Sequence, residues 1–209
     1  MAAYRPSPGA VVRRSLRQSA LAGVAAYLAG YLLTAVFVVV DGVDFGGEAG
    51  WVAVVGWVFY AAHTVKLRLT GAAGDSAATG TVGVFGWGDD LTSLTDAVPE
   101  ILYLAVPVVV LVGTAVLLVG RVDGAVESVG SAGAVGASVV AGYLPLALLG
   151  QVLFTHTETG FGGAASLTIG PDLLPSVLLV GLVYPVVCGA VGGVLARQTG
   201  SGTPSASRV

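Results

Sequence analysis

The amino-acid sequence predicts an all-α fold, a polytopic bundle of five transmembrane helices. Hydrophobic residues make up 55% of the 209 residues and charged residues only 10%, whereas about a quarter of the residues in a soluble domain are charged. The apolar residues form five long runs, and nearly all of the charged residues lie between those runs. This composition leaves too little polar surface for water, so we expect the chain to lie in the lipid bilayer of the cell membrane.

The five apolar runs divide the chain into three regions. We expect a basic cytoplasmic N-terminus at residues 1–18, a transmembrane domain at 19–196 and a disordered tail at 197–209. The predicted spans are residues 19–40, 51–68, 101–120, 130–154 and 173–196. The polar stretches 71–90 and 155–172 between them are predicted to be loops.

The first run sets the orientation of the chain. Its 22 residues give a helix of about 33 Å, enough to cross a hydrocarbon core of about 30 Å. Arg5, Arg13, Arg14 and Arg17 precede it, and clustered arginines favour the cytoplasmic side. The Arg13-Arg14 pair also suggests a twin-arginine export signal, but the run exceeds the roughly 7–15 apolar residues of such a signal and no Ala-x-Ala cleavage site follows.

The stretch from Trp51 to Leu69 decides the number of spans. Trp51 to Lys66 is 16 residues, or about 24 Å of helix, which crosses a bilayer only if Lys66 and Arg68 extend back to the headgroups. Five spans place six basic residues inside and three outside. Four spans, with this stretch interfacial or re-entrant, place seven inside and two outside. We expect five, because a complete helix satisfies every backbone hydrogen bond in lipid.

Small residues recur at helical spacing in three of the predicted spans. Such residues let helix backbones approach closely in a membrane, and we expect them to pack helices within the bundle rather than to form a dimer seam. The predicted packing residues are Ala26, Gly30, Gly133, Ala137, Gly189 and Gly193.

Three prolines are predicted to kink the last three spans, because the proline ring removes one backbone hydrogen bond. Kinked helices can enclose a midplane site, as they do in transporters; the alternative is that these prolines and the nearby polar residues only pack. The predicted kinks are Pro107, Pro145 and Pro185. The candidate cavity-lining residues are Tyr60, His63, Tyr103, Tyr143, Gln151 and Tyr184.

No motif for catalysis or cofactor binding was found. The sequence contains neither Gly-x-Ser-x-Gly nor His-Glu-x-x-His, and Cys188 lies alone in an apolar run. His156 and Glu158 would form a metal site only if they met His63, and a two-residue spacing is not that of helical ligands. We therefore expect no enzyme, no metal and no cofactor, and no nucleic acid partner because the chain lacks a basic face.

Two segments, RQSALAGVAAYLAGYLLT at residues 17–34 and GWVFYAAH at 56–63, resemble a group of uncharacterised multi-pass membrane proteins from halophilic archaea. The resemblance extends from the first span to the fifth and implies architecture and habitat, but no substrate, reaction or functional residue. We expect a non-enzymatic membrane module that packs with itself, as a homo-oligomer, or with a membrane partner. The alternative is a small-solute or ion carrier or channel between the kinked spans.

Overall fold

The computed structural model describes residues 8–43, 49–85, 97–122, 126 and 128–200. The α-helices are α1 (Pro8–Val40), α2 (Gly50–Ala61), α3 (Glu100–Arg121), α4 (Val129–Ala137), α5 (Val140–Leu153), α6 (Leu173–Pro175) and α7 (Tyr184–Gly200). A π-helix, Ser176–Val183, joins α6 to α7. The strands are β1 (Leu67–Ala73), β2 (Ser76–Val82), β3 (His156–Gly160) and β4 (Ala165–Pro171).

Four helical stretches in the described part of the chain are long and apolar enough to cross a membrane: Ser15–Val40, Glu100–Arg121, Val129–Leu153 and Leu173–Thr199. Four of the five predicted spans lie within these stretches or differ from them by a residue or so at one end. Leucine, isoleucine and valine side chains along them are widely exposed. These features are compatible with a membrane protein.

The predicted second span, 51–68, is wrong as a single helix. Helix α2 has 12 residues, about 18 Å at 1.5 Å per residue. Thr64 then takes a left-handed backbone with φ of 63°, and the N–H of Val65 donates to the carbonyl of Tyr60 at 3.2 Å. These features are those of a Schellman motif, which ends a helix. The chain continues as strand β1 from Leu67.

An antiparallel four-stranded sheet corrects the all-α prediction. The strand order is β2-β1-β4-β3, with Leu67 opposite Val82 in β2 and opposite Pro171 in β4. Segments within the predicted loops 71–90 and 155–172 are thus strands. Small and hydroxylated residues make these strands too polar for a hydropathy pattern to show.

The chain forms two compact units. Unit 1 comprises Met1–Ala26, Val108–Tyr143 and Val183–Val209, and unit 2 comprises Tyr27–Pro107 and Leu144–Leu182.

In unit 1, glycines bring α4 and α7 into backbone contact. A Cβ atom built on Gly136 would overlap the carbonyl oxygen of Gly189, and one built on Gly193 would overlap that of Ala132. Gly133 faces the Val194 side chain at 3.5 Å. Close approach of this kind is how helices associate where water supplies no hydrophobic driving force.

Helix α1 meets the junction of α4 and α5 in unit 1 in the same way. A Cβ on Gly23 would overlap the carbonyl oxygen of Val139, and one on Gly142 would overlap that of Ala20. The hydroxyl of Ser138 donates to that of Ser19 at 2.7 Å, in a buried position. Among the other predicted packing residues of unit 1, Ala26 is buried and Ala137 is half-buried.

In unit 2, bulky side chains rather than glycine backbones hold α2 in place. The Trp57 indole N–H donates to the Phe154 carbonyl at 2.6 Å. A Cβ on Gly56 would overlap the Phe154 ring, and Gly30 of α1 leaves room for the Phe59 ring. Helix α2 therefore fits between its neighbours by shape and by a side-chain hydrogen bond.

The three predicted kink prolines occupy different helical contexts. Pro107 lies inside α3 and Pro145 inside α5. Pro185 is the second residue of α7, directly after the π-helix. The π-helix therefore ends just before the Pro185 ring. Proline has no N–H, so the Gly181 carbonyl has no α-helical donor four residues later.

Both predicted terminal regions are partly helical. Helix α1 begins at Pro8 and α7 ends at Gly200. Residues 1–7, and residues 201–209 of the predicted disordered tail, lie outside the described residues.

We predict that Gly136→Ala lowers the free energy of unfolding in detergent by about 1–3 kcal/mol, because the added methyl forces α4 away from α7. Gly113→Ala is the matched control. A Cβ on Gly113 meets nothing within 4 Å, so this change should be neutral or stabilising by helix propensity. Denaturant unfolding measures both variants, and equal losses would contradict the packing account.

Candidate functional site

The predicted cavity-lining residues fall in both units. Tyr60, His63, Tyr103 and Gln151 belong to unit 2, whereas Tyr143 and Tyr184 belong to unit 1. Within unit 2 they occupy three different places: an aromatic cluster, the junction of α1 with α3, and the base of the sheet. Their predicted role as the lining of one transport path stays a prediction.

The aromatic cluster surrounds the end of α2. The Phe59 ring meets the Tyr27 ring edge-on at 5.1 Å between centroids and the His63 ring at 4.8 Å. Tyr60 is fully buried, and its hydroxyl donates to the carbonyl of Ala147. The cluster thus ties α2 to α1 and α5 through aromatic edges and one hydroxyl.

His63 is fully buried in this cluster. Its Nδ1–H donates to the Phe59 carbonyl, with 2.8 Å between nitrogen and oxygen. Burial lowers the pKa of His63 to about 4, and the hydrogen bond to Phe59 opposes that shift. His63 is therefore neutral at physiological pH and acts as a packed, hydrogen-bonded ring.

At the junction of α1 and α3, Asp41 accepts three hydrogen bonds. The N–H of Ala97 donates to its carboxylate at 2.9 Å, and the N–H of Val98 and the hydroxyl of Tyr103 donate to it as well. Tyr103 is fully buried and packs edge-on against Phe37 at 5.4 Å. The last turn of α1 is thereby fixed to the chain that enters α3.

At the base of the sheet, Gln151 lines a cavity of about 140 Å³. Its amide nitrogen donates to the Pro171 carbonyl, while its Oε1 atom is buried and has no hydrogen-bond partner among the described residues. Arg68 also lines the cavity and donates to Asp172 at 2.8 Å. Hydroxyls of three threonines complete the polar wall: Thr70, Thr155 and Thr168. The arrangement suits a small hydrogen-bonding molecule such as water.

A second, apolar cavity of about 190 Å³ lies beside the turn after α2. Val84, Phe85 and Leu104 form its wall, and Lys66 and Thr64 stand at its polar part. Of the predicted site residues, none is part of this lining.

A metal site at His156 and Glu158 would require His63 beside them. His156 Nε2 lies 3.9 Å from Glu158 Oε1. Across the described ranges, no three His, Cys, Asp or Glu side chains come close enough together to hold a metal ion.

Sequence reasoning missed the structural roles of Asp41, Arg68 and Asp172. From the sequence, Arg68 is expected to extend to the headgroups, and no contact is predicted for Asp41 or Asp172. The usable signal was Gly74-Asp75, a two-residue turn between stretches of equal length and typical of a β-hairpin. No comparable local signal marks the partners of Asp41, because they lie 56 to 62 residues away.

Comparisons with known proteins identify the family. A family model described as "Family of unknown function (DUF7978)" matches residues 4–199, and the chain belongs to that family. No curated protein and no solved structure matches the chain significantly.

We predict that Asp41→Ala lowers the free energy of unfolding by at least about 2 kcal/mol, since three donors lose a charged acceptor and the Tyr103 hydroxyl is left in a buried place. The control Asp75→Ala removes the same charge from an exposed turn and should change stability by less than about 0.5 kcal/mol. Denaturant unfolding in detergent measures both. Equal effects would contradict the role given to Asp41.

We also predict a pH dependence of stability that belongs to His63. The unfolded side chain has a pKa of about 6.5, above the folded value of about 4, so the unfolded state takes up the proton first as the pH falls. Stability is full above about pH 6.5 and decreases toward pH 4, by about 3 kcal/mol in all.

Thermal unfolding from about pH 7 to about pH 5 tests this dependence. The wild-type chain should lose more stability on acidification than the His63→Gln variant, in which no imidazole titrates at this position. Parallel losses in the two proteins would show that other groups are responsible.

Proposed function

We propose that this member of the DUF7978 family is a four-span integral membrane protein, with both termini in the cytoplasm and the sheet outside the cell. It serves there as a non-enzymatic membrane module that associates with itself or with a membrane partner. The hydrogen bonds of Asp41 to Ala97, Val98 and Tyr103 are the observation that carries the proposal.

These hydrogen bonds join the C-terminal end of the first long helix to the N-terminal end of the second. A single crossing between residues 42 and 96 would put the two ends on opposite sides of a core about 30 Å thick. Helix α2, with 12 residues, spans about 18 Å. The chain therefore leaves and re-enters the membrane on one side, with α2 interfacial or partly inserted.

Charge supports this arrangement. With four spans, seven of the nine basic residues lie on the side of the N-terminus and two on the other: Lys66 and Arg68. Ten of the twelve acidic residues lie on the side of the sheet. Arginine and lysine favour the cytoplasmic side, so the N-terminus and the tail are assigned to the cytoplasm.

The role as an association module draws on the sheet. Strands β2 and β3 are the outer strands of the sheet, and nearly every residue of β2 is exposed. Outer strands offer backbone N–H and carbonyl groups to another strand. The glycines of α4 and α7, by contrast, are already used in packing within unit 1. The non-enzymatic role comes from the sequence, which contains no catalytic motif.

We predict the following labelling of single cysteines in a Cys188→Ala background. Thr79→Cys in β2 should react with a membrane-impermeant maleimide on intact cells, and Thr199→Cys near the end of α7 should react only after permeabilisation. Both positions are exposed, and the Cys188→Ala chain alone is the control. The opposite pattern, with position 199 labelled and position 79 protected, is that of five spans and would refute the proposal.

A further inference from the structure

Unit 1 contains a groove between α1 and α3 with a volume of about 430 Å³. On α1 the groove is lined by Gln18, Leu21, Ala22 and Ala25. The short alanine side chains create the space, and Leu21 borders it. Residues 18 to 25 rise about 10 Å along the helix, so the groove has the form of a short channel along the helix axis.

On α3 the groove is lined by Thr114, Leu117, Leu118 and Arg121. The two helices run antiparallel, because the end of α1 meets the chain entering α3 at Asp41. Arg121, the last residue of α3, therefore shares one end of the groove with Gln18. Beyond that end the lining is alanine and leucine, apart from Thr114.

The polar end of the groove carries an exposed arginine, and two more exposed arginines lie on α1 nearby. Arg121 is exposed and forms no ion pair with another described residue. Arg17 precedes Gln18, and Arg13 lies one turn earlier; both are exposed. The described residues of unit 1 include five arginines and no aspartate or glutamate. An anion at this end would meet guanidinium groups, which bind phosphate through paired hydrogen bonds.

We infer that this groove binds an anionic phospholipid of the inner leaflet, with its phosphate at Arg121 and part of one acyl chain between Ala22, Ala25 and Leu117. A soluble phosphate would leave the apolar part of the groove empty, and a neutral lipid would bring no net negative charge to Arg121. Basic pockets between transmembrane helices on the cytoplasmic side are known to hold anionic headgroups. The inference rests on the proposed four-span arrangement, which puts Arg121 at the cytoplasmic surface.

Native mass spectrometry of the full chain in detergent, titrated with phosphatidylglycerol, phosphatidylcholine or glycerol phosphate, tests the inference. We predict that phosphatidylglycerol is retained at least about tenfold more strongly than phosphatidylcholine, and that Arg121→Gln removes most of that preference. Ala25→Leu should displace the lipid by filling the channel. Ala25 is exposed, so this change leaves the packed core intact.

Two matched variants serve as controls. Lys66→Gln removes one positive charge away from the groove. Ala29→Leu makes the same enlargement one turn further along α1, at an exposed position outside the lining. Both should retain phosphatidylglycerol like the wild-type chain.

Three results would each overturn the inference: equal retention of the two lipids, an Arg121→Gln variant that behaves like Lys66→Gln, or glycerol phosphate binding as well as the lipid. Binding in detergent does not depend on orientation. A failure here therefore leaves the topology intact, and a reversed labelling pattern in cells would instead refute the four-span arrangement and the choice of leaflet.

Discussion

Asp41 stands at the C-terminal end of a helix, where the helix dipole disfavours a negative charge. It is held there by donors from the chain that enters α3: the N–H groups of Ala97 and Val98 and the hydroxyl of Tyr103. This one carboxylate fixes which helix ends lie together. The short helix α2 and the hairpin of β1 and β2 lie in the segment between Asp41 and Ala97, whose two ends this junction holds together.

Each of the two units is stabilised internally by a different kind of contact. Unit 1 relies on glycines such as Gly136 and Gly189, whose missing side chains let backbones touch. Unit 2 relies on aromatic rings around Phe59 and on the buried Tyr60 and half-buried Trp57, each of which donates to a backbone carbonyl. Both modes suit surroundings in which helices gain little from hydrophobic burial and each polar group must find a partner.

The distribution of charged residues supports the proposed orientation in the membrane. In the proposed four-span arrangement, seven of the nine basic residues lie on the side of the N-terminus and ten of the twelve acidic residues on the side of the sheet. The arginines that set this proposed orientation include Arg121, which we propose binds an anionic headgroup beside α1 and α3. Under the same proposal, the outer strands β2 and β3 are the surface that a protein partner would bind.

Four long apolar helices can be predicted from the sequence, because hydropathy over about 20 residues is a local property. The charge bias and the glycines available for close packing can also be read from the sequence. The tertiary contacts, by contrast, show that α2 ends early, that β1 pairs with β4 to join two hairpins, and that Asp41, Arg68 and Gln151 have their particular partners. Those outcomes depend on contacts between residues far apart in the chain. The strands around Thr70 and Thr168 are weakly apolar, so no alternation of apolar and polar residues predicts them from the sequence.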